Sequence, residues 1–190
     1  MTDEKPILFF ENEKGWSTWL AKNHASTPGV WIRFAKKASG IASLTYDEAL
    51  DVALCYGWID GQSKSEDAAY YVQKFTPRGK RSIWSKRNRD KALALIASGT
   101  MQSAGLAEVE RAKQDGRWDA AYDSPSNATV PDDLQAALDR NPAAKKFFET
   151  LDRQNRYAVL FRIHTAKKPE TRAKRVAEFV AMLARGEKLH

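Results

Sequence analysis

Hydrophobic residues in the first third of the chain switch between the spacing of strands and the spacing of helices. Residues 30–34 (Val-Trp-Ile-Arg-Phe) place an apolar residue at every second position, which predicts a strand with one face turned to a core. Residues 16–20 place Trp, Trp and Leu at i, i+3 and i+4, which is one face of a helix. The apolar run at residues 7–10 predicts a first short strand.

A second helix is predicted between Thr45 and Gly57. Thr45 and Glu48 have the spacing of a capping box, in which the hydroxyl and the carboxylate bind free amides at a helix start. Gly57 is expected to cap the other end. Asp60 and Gly61 follow almost at once, and this pair predicts a tight turn.

Further along, the pattern predicts one more strand and two more helices. Residues 70–76 are rich in residues that favour strands, and Pro77 ends the pairing because proline has no amide proton. Residues 85–97 and 104–114 each have helical spacing and end near a glycine. The fold class is therefore α+β, with a small sheet packed against helices.

The last third of the chain has only helical patterns. Residues 123–130 (Asp-Ser-Pro-Ser-Asn-Ala-Thr-Val) have the composition of a linker. Beyond them, start signals such as Asn141 before Pro142 introduce short helices that must pack on one another to be stable. We predict an α+β domain at residues 1–122, a linker, and a small all-helical unit at residues 131–190.

Composition limits the class of protein. Of the 190 residues, 43% are hydrophobic and 11% aromatic, which is enough for a packed core. The single cysteine, Cys55, excludes an intramolecular disulfide and is expected to be a small buried apolar residue. The first five residues lack the order of a signal peptide, and no apolar run reaches membrane-spanning length. We therefore expect a cytoplasmic protein.

Charge favours an anionic partner. Lys and Arg number 31 against 24 Asp and Glu, a net charge of +7. Such a surplus attracts nucleic acid, acidic lipid or phosphorylated ligands, but it also serves solubility alone in many proteins.

Several motifs resemble one known family. They are Cys55-Tyr56-Gly57-Trp58-Ile59-Asp60-Gly61, Phe75-Thr76-Pro77-Arg78 with Ser82-Ile83-Trp84-Ser85 and Asn88, Gly116-Arg117-Trp118, and the basic run 166–175. On these motifs the chain resembles, over nearly its whole length, the YdeI/OmpD-associated family, also called bacteriocin-protection proteins. The resemblance implies a role in tolerating antimicrobial peptides and an association with an outer-membrane porin. It implies no reaction, cofactor or catalytic residue.

Residues 54–88 supply the first candidate site. If Asp60 and Arg78 lie on neighbouring strands, they can form a bidentate pair in an anion pocket, with tryptophan faces beside it. The alternative is structural, with Asp60 capping a turn that Arg78 braces. The candidate ligand-binding residues are Trp58, Asp60, Thr76, Arg78, Ser82, Trp84 and Asn88.

Two groups of basic residues form a second candidate surface for an acidic macromolecule. They are Lys80, Arg81 and Arg87 beside the predicted helix at residues 85–97, and Lys168, Arg172 and Arg175 in the last helix. The latter recur at i, i+4 and i+7, which is also the pattern of an ordinary solvated face.

Three hypotheses follow for the function. The first is a non-catalytic protein that binds an anionic ligand or macromolecule and contributes to stress or bacteriocin tolerance. The second is an enzyme for a small anionic substrate, with Arg78 as the anchor and Asp60 as the acid or base. The third is a nucleic-acid-binding protein that uses its basic helices. No cofactor is expected, and the three histidines lack the spacing of metal ligands.

Overall fold

The protein divides into two compact units. The structure, a computed structural model, describes residues 5–190. The expected lack of a signal peptide depends mostly on residues 1–4, which lie outside this range. The N-terminal unit is Met1–Ala121 and the C-terminal unit is Tyr122–His190.

The N-terminal unit is a mixed sheet with helices, as predicted. Its elements are β1 (Ile7–Phe9), α1 (Glu13–Asn23), β2 (Val30–Ala35), a 3-10 turn (Lys37–Ser39), α2 (Tyr46–Cys55), β3 (Trp58–Ser65), β4 (Tyr70–Pro77), α3 (Lys86–Ala97) and α4 (Ser103–Gln114). The strands lie in the order β1-β2-β4-β3, with β1 and β2 parallel and the other pairs antiparallel.

The alternating pattern of β2 decides which face of the sheet is covered. Val30, Ile32 and Phe34 are at most 1% exposed and pack in one core with Trp16 and Leu20 of α1. The residues between them, such as Trp31, point to the other face and are only half-buried. The period-two prediction is therefore confirmed for this strand.

Helix α2 begins and ends as its sequence predicts. Thr45 and Glu48 form the complete capping box, and the hydrogen bonds from Thr45 hold the pKa of the Glu48 carboxyl below its usual range. Gly57 has a φ of +72°, a left-handed conformation that favours glycine. A Cβ on Gly105 would lie 2.4 Å from the carbonyl oxygen of Cys55, so only glycine lets α4 approach α2 this closely.

The prediction of a tight turn at Asp60 and Gly61 is wrong. Both residues lie inside β3, and Asp60 is paired with Phe75 of β4. The register shifts between Asp60 and Ser63, which is a β-bulge. Pairing with β4 supplies backbone partners that an isolated turn would lack, and glycine in a strand commonly marks a bulge.

The C-terminal unit is helical, as predicted. It contains α5 (Asp132–Asp139), α6 (Pro142–Thr150), α7 (Arg153–His164) and α8 (Pro169–Ala184) around an apolar core. Ala128 and Val130 pack against this core, and the Tyr157 hydroxyl donates to the carbonyl oxygen of Asp123 at 2.9 Å. Within residues 5–190, no helix has the length and hydrophobicity needed to cross a bilayer.

Candidate functional site

Trp58 is a core residue. It is 1% exposed, and its ring lies edge-on to Trp16 and Trp19 at centroid distances of 6.1 and 6.0 Å. Its indole N–H donates to the carbonyl oxygen of His24 at 3.1 Å. This burial corrects the expectation that the Trp58 ring faces a ligand, because its surface is already covered by other rings.

Asp60 is engaged by a tyrosine. Its carboxylate accepts a hydrogen bond of 2.9 Å from the Tyr46 hydroxyl at the start of α2. Burial, followed by the negative charge of Asp60, raises the pKa of Tyr46 well above its usual range. The hydroxyl therefore stays protonated and remains a donor.

Arg78 stacks on a tryptophan. It is 5% exposed, and its guanidinium carbon lies 3.6 Å from the centroid of the Trp84 ring. One of its nitrogens donates to the carbonyl oxygen of Ile83 at 3.2 Å. Trp84 in turn meets Trp118 edge-on at 5.0 Å. These three side chains pack together and are buried beneath the segment of residues 78–83. We call that segment the basic loop.

Two further arginines hold the backbone of the basic loop. Arg111 of α4 donates to the carbonyl oxygens of Arg78 and Gly79 at 3.4 and 3.3 Å. Arg117, which is 6% exposed, donates to the carbonyl oxygen of Ser82 at 2.7 Å. The sequence singled out Arg117 only as part of a family motif, and it gave no signal for Arg111.

Two carboxylates balance part of this charge. Arg111 pairs with Glu108, and Arg117 pairs with Asp115 at 2.8 Å. Burial raises the pKa of Glu108, although the nearby guanidinium groups act in the opposite direction. The hydrogen bond from Arg117 lowers the pKa of Asp115. Each of these two arginines therefore combines a hydrogen bond to the basic loop with an ion pair to a carboxylate.

The surface of the basic loop presents two cations. Lys80 and Arg81 are exposed, and within the described part of the chain neither forms an ion pair. The Ser82 hydroxyl accepts a hydrogen bond of 2.9 Å from the amide of Gly79, so it closes the loop. The basic loop therefore carries exposed positive side chains on a backbone that hydrogen bonds from arginines hold in place.

The other predicted ligand-binding residues serve the local structure. Thr76 lies in β4 opposite Ile59. The Asn88 amide donates to the hydroxyl of Ser85, which caps α3. Arg87 pairs with Asp47 at 2.5 Å. The structure thus brings together Arg78, Ser82 and Trp84 and gives the remaining candidates separate contacts.

The basic residues of α8 mostly contact the protein itself. Arg172 binds the Asp133 carboxylate through two nitrogens at 2.6 and 2.9 Å and donates to the carbonyl oxygen of Ile163 at 3.3 Å. Arg175 donates to the carbonyl oxygen of Arg162. Both carbonyls lie in the last turn of α7, where positive charge is favourable. Lys168 is exposed at the start of α8.

A cavity of about 450 Å³ in the N-terminal unit is lined in part by Cys55. Burial raises the pKa of the Cys55 thiol to about 11, so the thiol stays protonated at neutral pH. This agrees with its interpretation as a small buried apolar residue. Across residues 5–190, no group of three or more His, Cys, Asp or Glu side chains is arranged to hold a metal ion.

Comparisons with known proteins give matches to family models alone. No curated protein and no solved structure matches the chain. Residues 127–186 match the family described as Bacteriocin-protection, YdeI or OmpD-Associated, which confirms that resemblance for the C-terminal part rather than for nearly the whole chain. Residues 8–108, more than half of the 190 residues, match a different model, and the chain therefore belongs to the family described as Domain of unknown function (DUF8412).

Proposed function

We propose that the protein is a non-catalytic binding protein whose basic loop holds an anionic ligand or macromolecule. The observation that carries this proposal is the exposure of Lys80 and Arg81, without ion pairs in the described chain, on a backbone that three other guanidinium groups hold in place. A cation without a carboxylate partner attracts anions more strongly than one that is already paired.

Bracing of the basic loop favours binding. A flexible loop loses conformational entropy when a ligand orders it, and this loss weakens affinity. Here three arginines donate to carbonyl oxygens of the loop, so most of that order exists before the ligand arrives. Hydrogen bonds from charged donors are also stronger than those from neutral ones.

The contacts of Asp60 and Arg78 favour binding over turnover. The enzyme hypothesis needs an anchoring guanidinium and a carboxylate free to accept a proton. Instead, Arg78 is 5% exposed and stacked on Trp84, while Asp60 accepts the Tyr46 hydroxyl. Both side chains therefore take part in holding the fold.

The C-terminal match supports a biological role for this binding. The printed description of the family that matches residues 127–186 names bacteriocin protection. We propose that binding of an acidic partner contributes to stress or antimicrobial-peptide tolerance in the organism that makes this protein.

A binding assay with inorganic polyphosphate tests the proposal. Polyphosphate carries charge but neither bases nor rings. Lys80→Gln/Arg81→Gln is expected to weaken binding about tenfold or more, since each surface contact between unit charges contributes about 1 kcal/mol. The matched control is Lys14→Gln/Lys22→Gln, which removes the same charge from two exposed positions of α1. Equal losses in both variants, or no loss in the loop variant, would show that the basic loop is not the site.

A further inference from the structure

Within the described part of the N-terminal unit, α1 and α2 pack against one face of the sheet only. The core with α1 and α2 lies against the face that carries Ile32. On the opposite face, Trp31 lies between Ile7 and Lys74 in the register, and Arg33 lies beside Phe9. We call this surface the open face, and its residues include the buried Val72 and the more accessible Ile7, Phe9, Trp31, Arg33, Lys64, Tyr70 and Lys74.

The open face carries exposed aromatic and apolar side chains. Ile7 is 51% exposed and Phe9 is 43% exposed. Trp31 and Tyr70 are half-buried, and the rings of Phe9 and Tyr70 meet edge-on at 6.3 Å. A contiguous group of large apolar side chains on a surface usually marks an interaction site, because soluble monomeric proteins rarely expose such a group.

Cations are interleaved with these rings. The Lys64 and Lys74 ammonium groups lie 4.8 and 6.0 Å from the centroid of the Trp31 ring. Neither lysine forms an ion pair within residues 5–190. Arg33 lies 5.6 Å from the centroid of the Tyr70 ring and is paired with Glu66 at 2.6 Å. The part of the open face around Trp31 is therefore positively charged.

We propose that the open face binds single-stranded nucleic acid. Aromatic rings offer stacking platforms for bases of any sequence, and lysines beside them contact the phosphates. An exposed cation–π contact is weak, so a base can displace the ammonium groups from the Trp31 ring and leave them free to bind phosphate.

The charges decide between this occupant and a protein partner. The centre of a protein–protein interface is usually depleted of charged residues. On the open face, two unpaired lysines lie over the central ring, which suits a ligand that is both aromatic and anionic. A duplex hides its base faces, so only a single strand can use the rings and the lysines together.

Fluorescence anisotropy with labelled oligothymidylate of about twelve nucleotides, in low salt, tests this proposal. Trp31→Ala and Lys64→Gln/Lys74→Gln are each expected to weaken binding about tenfold or more. Phe9→Ala, at a more exposed position, is expected to weaken binding about fivefold and keeps the test valid if Trp31→Ala does not fold. Trp31→Phe, which retains a ring, is expected to keep most of the affinity.

The controls separate the open face from the basic loop. Lys80→Gln/Arg81→Gln removes the same charge as the lysine pair and is expected to change oligothymidylate binding less than about threefold. Wild-type affinity in both Trp31→Ala and Phe9→Ala would overturn the proposal, as would equal losses in the loop and lysine variants. Tighter binding of a duplex of the same length would also overturn it. None of these results depends on whether polyphosphate binds the basic loop.

Discussion

The arginines beneath the basic loop and the lysines of the open face use positive charge in different ways. Beneath the basic loop, Arg78, Arg111 and Arg117 donate to the protein's own carbonyl oxygens. Arg111 and Arg117 also pair with Glu108 and Asp115. On the open face, Lys64 and Lys74 lie over an aromatic ring and pair with no carboxylate within the described chain. Cationic side chains therefore stabilise the fold in one region and remain available to a ligand in the other.

The arginines of α8 resemble the arginines beneath the basic loop in this respect. Arg172 and Arg175 donate to carbonyl oxygens at the end of α7. A stripe of basic residues in a sequence is therefore weak support for a binding surface until the partners of each side chain are known.

The largest effect expected from this comparison is on stability. Arg117→Met removes the hydrogen bond to Ser82 and the ion pair with Asp115 from a site that is 6% exposed. We expect the free energy of unfolding to fall by about 2–3 kcal/mol, the usual contribution of a charged hydrogen bond. Chemical denaturation measures it. Arg81→Met, on the exposed surface, should change stability by less than about 0.5 kcal/mol. Similar losses in both variants would contradict the division between bracing and exposed arginines.

A smaller loss is expected at Asp60. Asp60→Asn replaces the charged acceptor of the Tyr46 hydroxyl, which should lower the free energy of unfolding by about 1–2 kcal/mol. Tyr46→Phe removes the other partner, and the double variant should lose less than the sum of the two single variants. Strict additivity in the denaturation midpoints would mean that this hydrogen bond contributes nothing to stability.

Salt dependence distinguishes the lysines from the rings of the open face. Each phosphate contact with a single strand contributes a slope of about −0.7 in a plot of log affinity against log salt. Lys64→Gln/Lys74→Gln should therefore make the slope shallower by about 1.4. Between 50 and 200 mM salt, the affinity of this variant should then fall by a factor roughly sevenfold smaller than the affinity of the wild type. Trp31→Ala should lower affinity at every salt concentration without changing the slope. A changed slope in Trp31→Ala would show that the ring acts only by placing the lysines.

The smallest effect concerns acid stability in the C-terminal unit. The hydrogen bonds from Arg172 lower the pKa of Asp133, so the stability they contribute is present above the ordinary carboxyl pKa and is lost as pH falls through the lowered pKa. Because this pair is partly exposed, Asp133→Asn should cost about 1 kcal/mol or less at neutral pH. The difference between wild type and variant should shrink below about pH 4.

Melting curves from pH 7 to pH 3 measure this difference, with Asp132→Asn as a control at the neighbouring exposed position. A difference that stays constant over this range would show that the charge of Asp133 is not responsible.

Local signals predicted most of the fold, whereas contacts distant in the sequence decided the sites. The alternation at residues 30–34 and the capping box at Thr45 depend on neighbouring residues, so both could be predicted. The Asp60–Gly61 pair locally favours a turn, but pairing with β4 determines its conformation. Arg111 contacts carbonyl groups more than thirty positions away, which no local pattern indicates.

The open face likewise depends on both local sequence signals and contacts distant in the sequence. The period of β2 places Trp31 away from the core, and this could be predicted. Its contacts with Lys64 and Lys74 depend on the register of β4 against β2 and β3, which no single strand determines.

Whether the two surfaces are separate binding sites is tested by two dissociation constants for each of two double variants. The probes are oligothymidylate and inorganic polyphosphate, and the variants are Lys64→Gln/Lys74→Gln and Lys80→Gln/Arg81→Gln, which lose equal charge. We expect the open-face variant to lose mainly oligothymidylate binding and the loop variant to lose mainly polyphosphate binding. Equal weakening of both probes by both variants would show that the two surfaces act only through net charge, which would contradict the assignment of two separate sites.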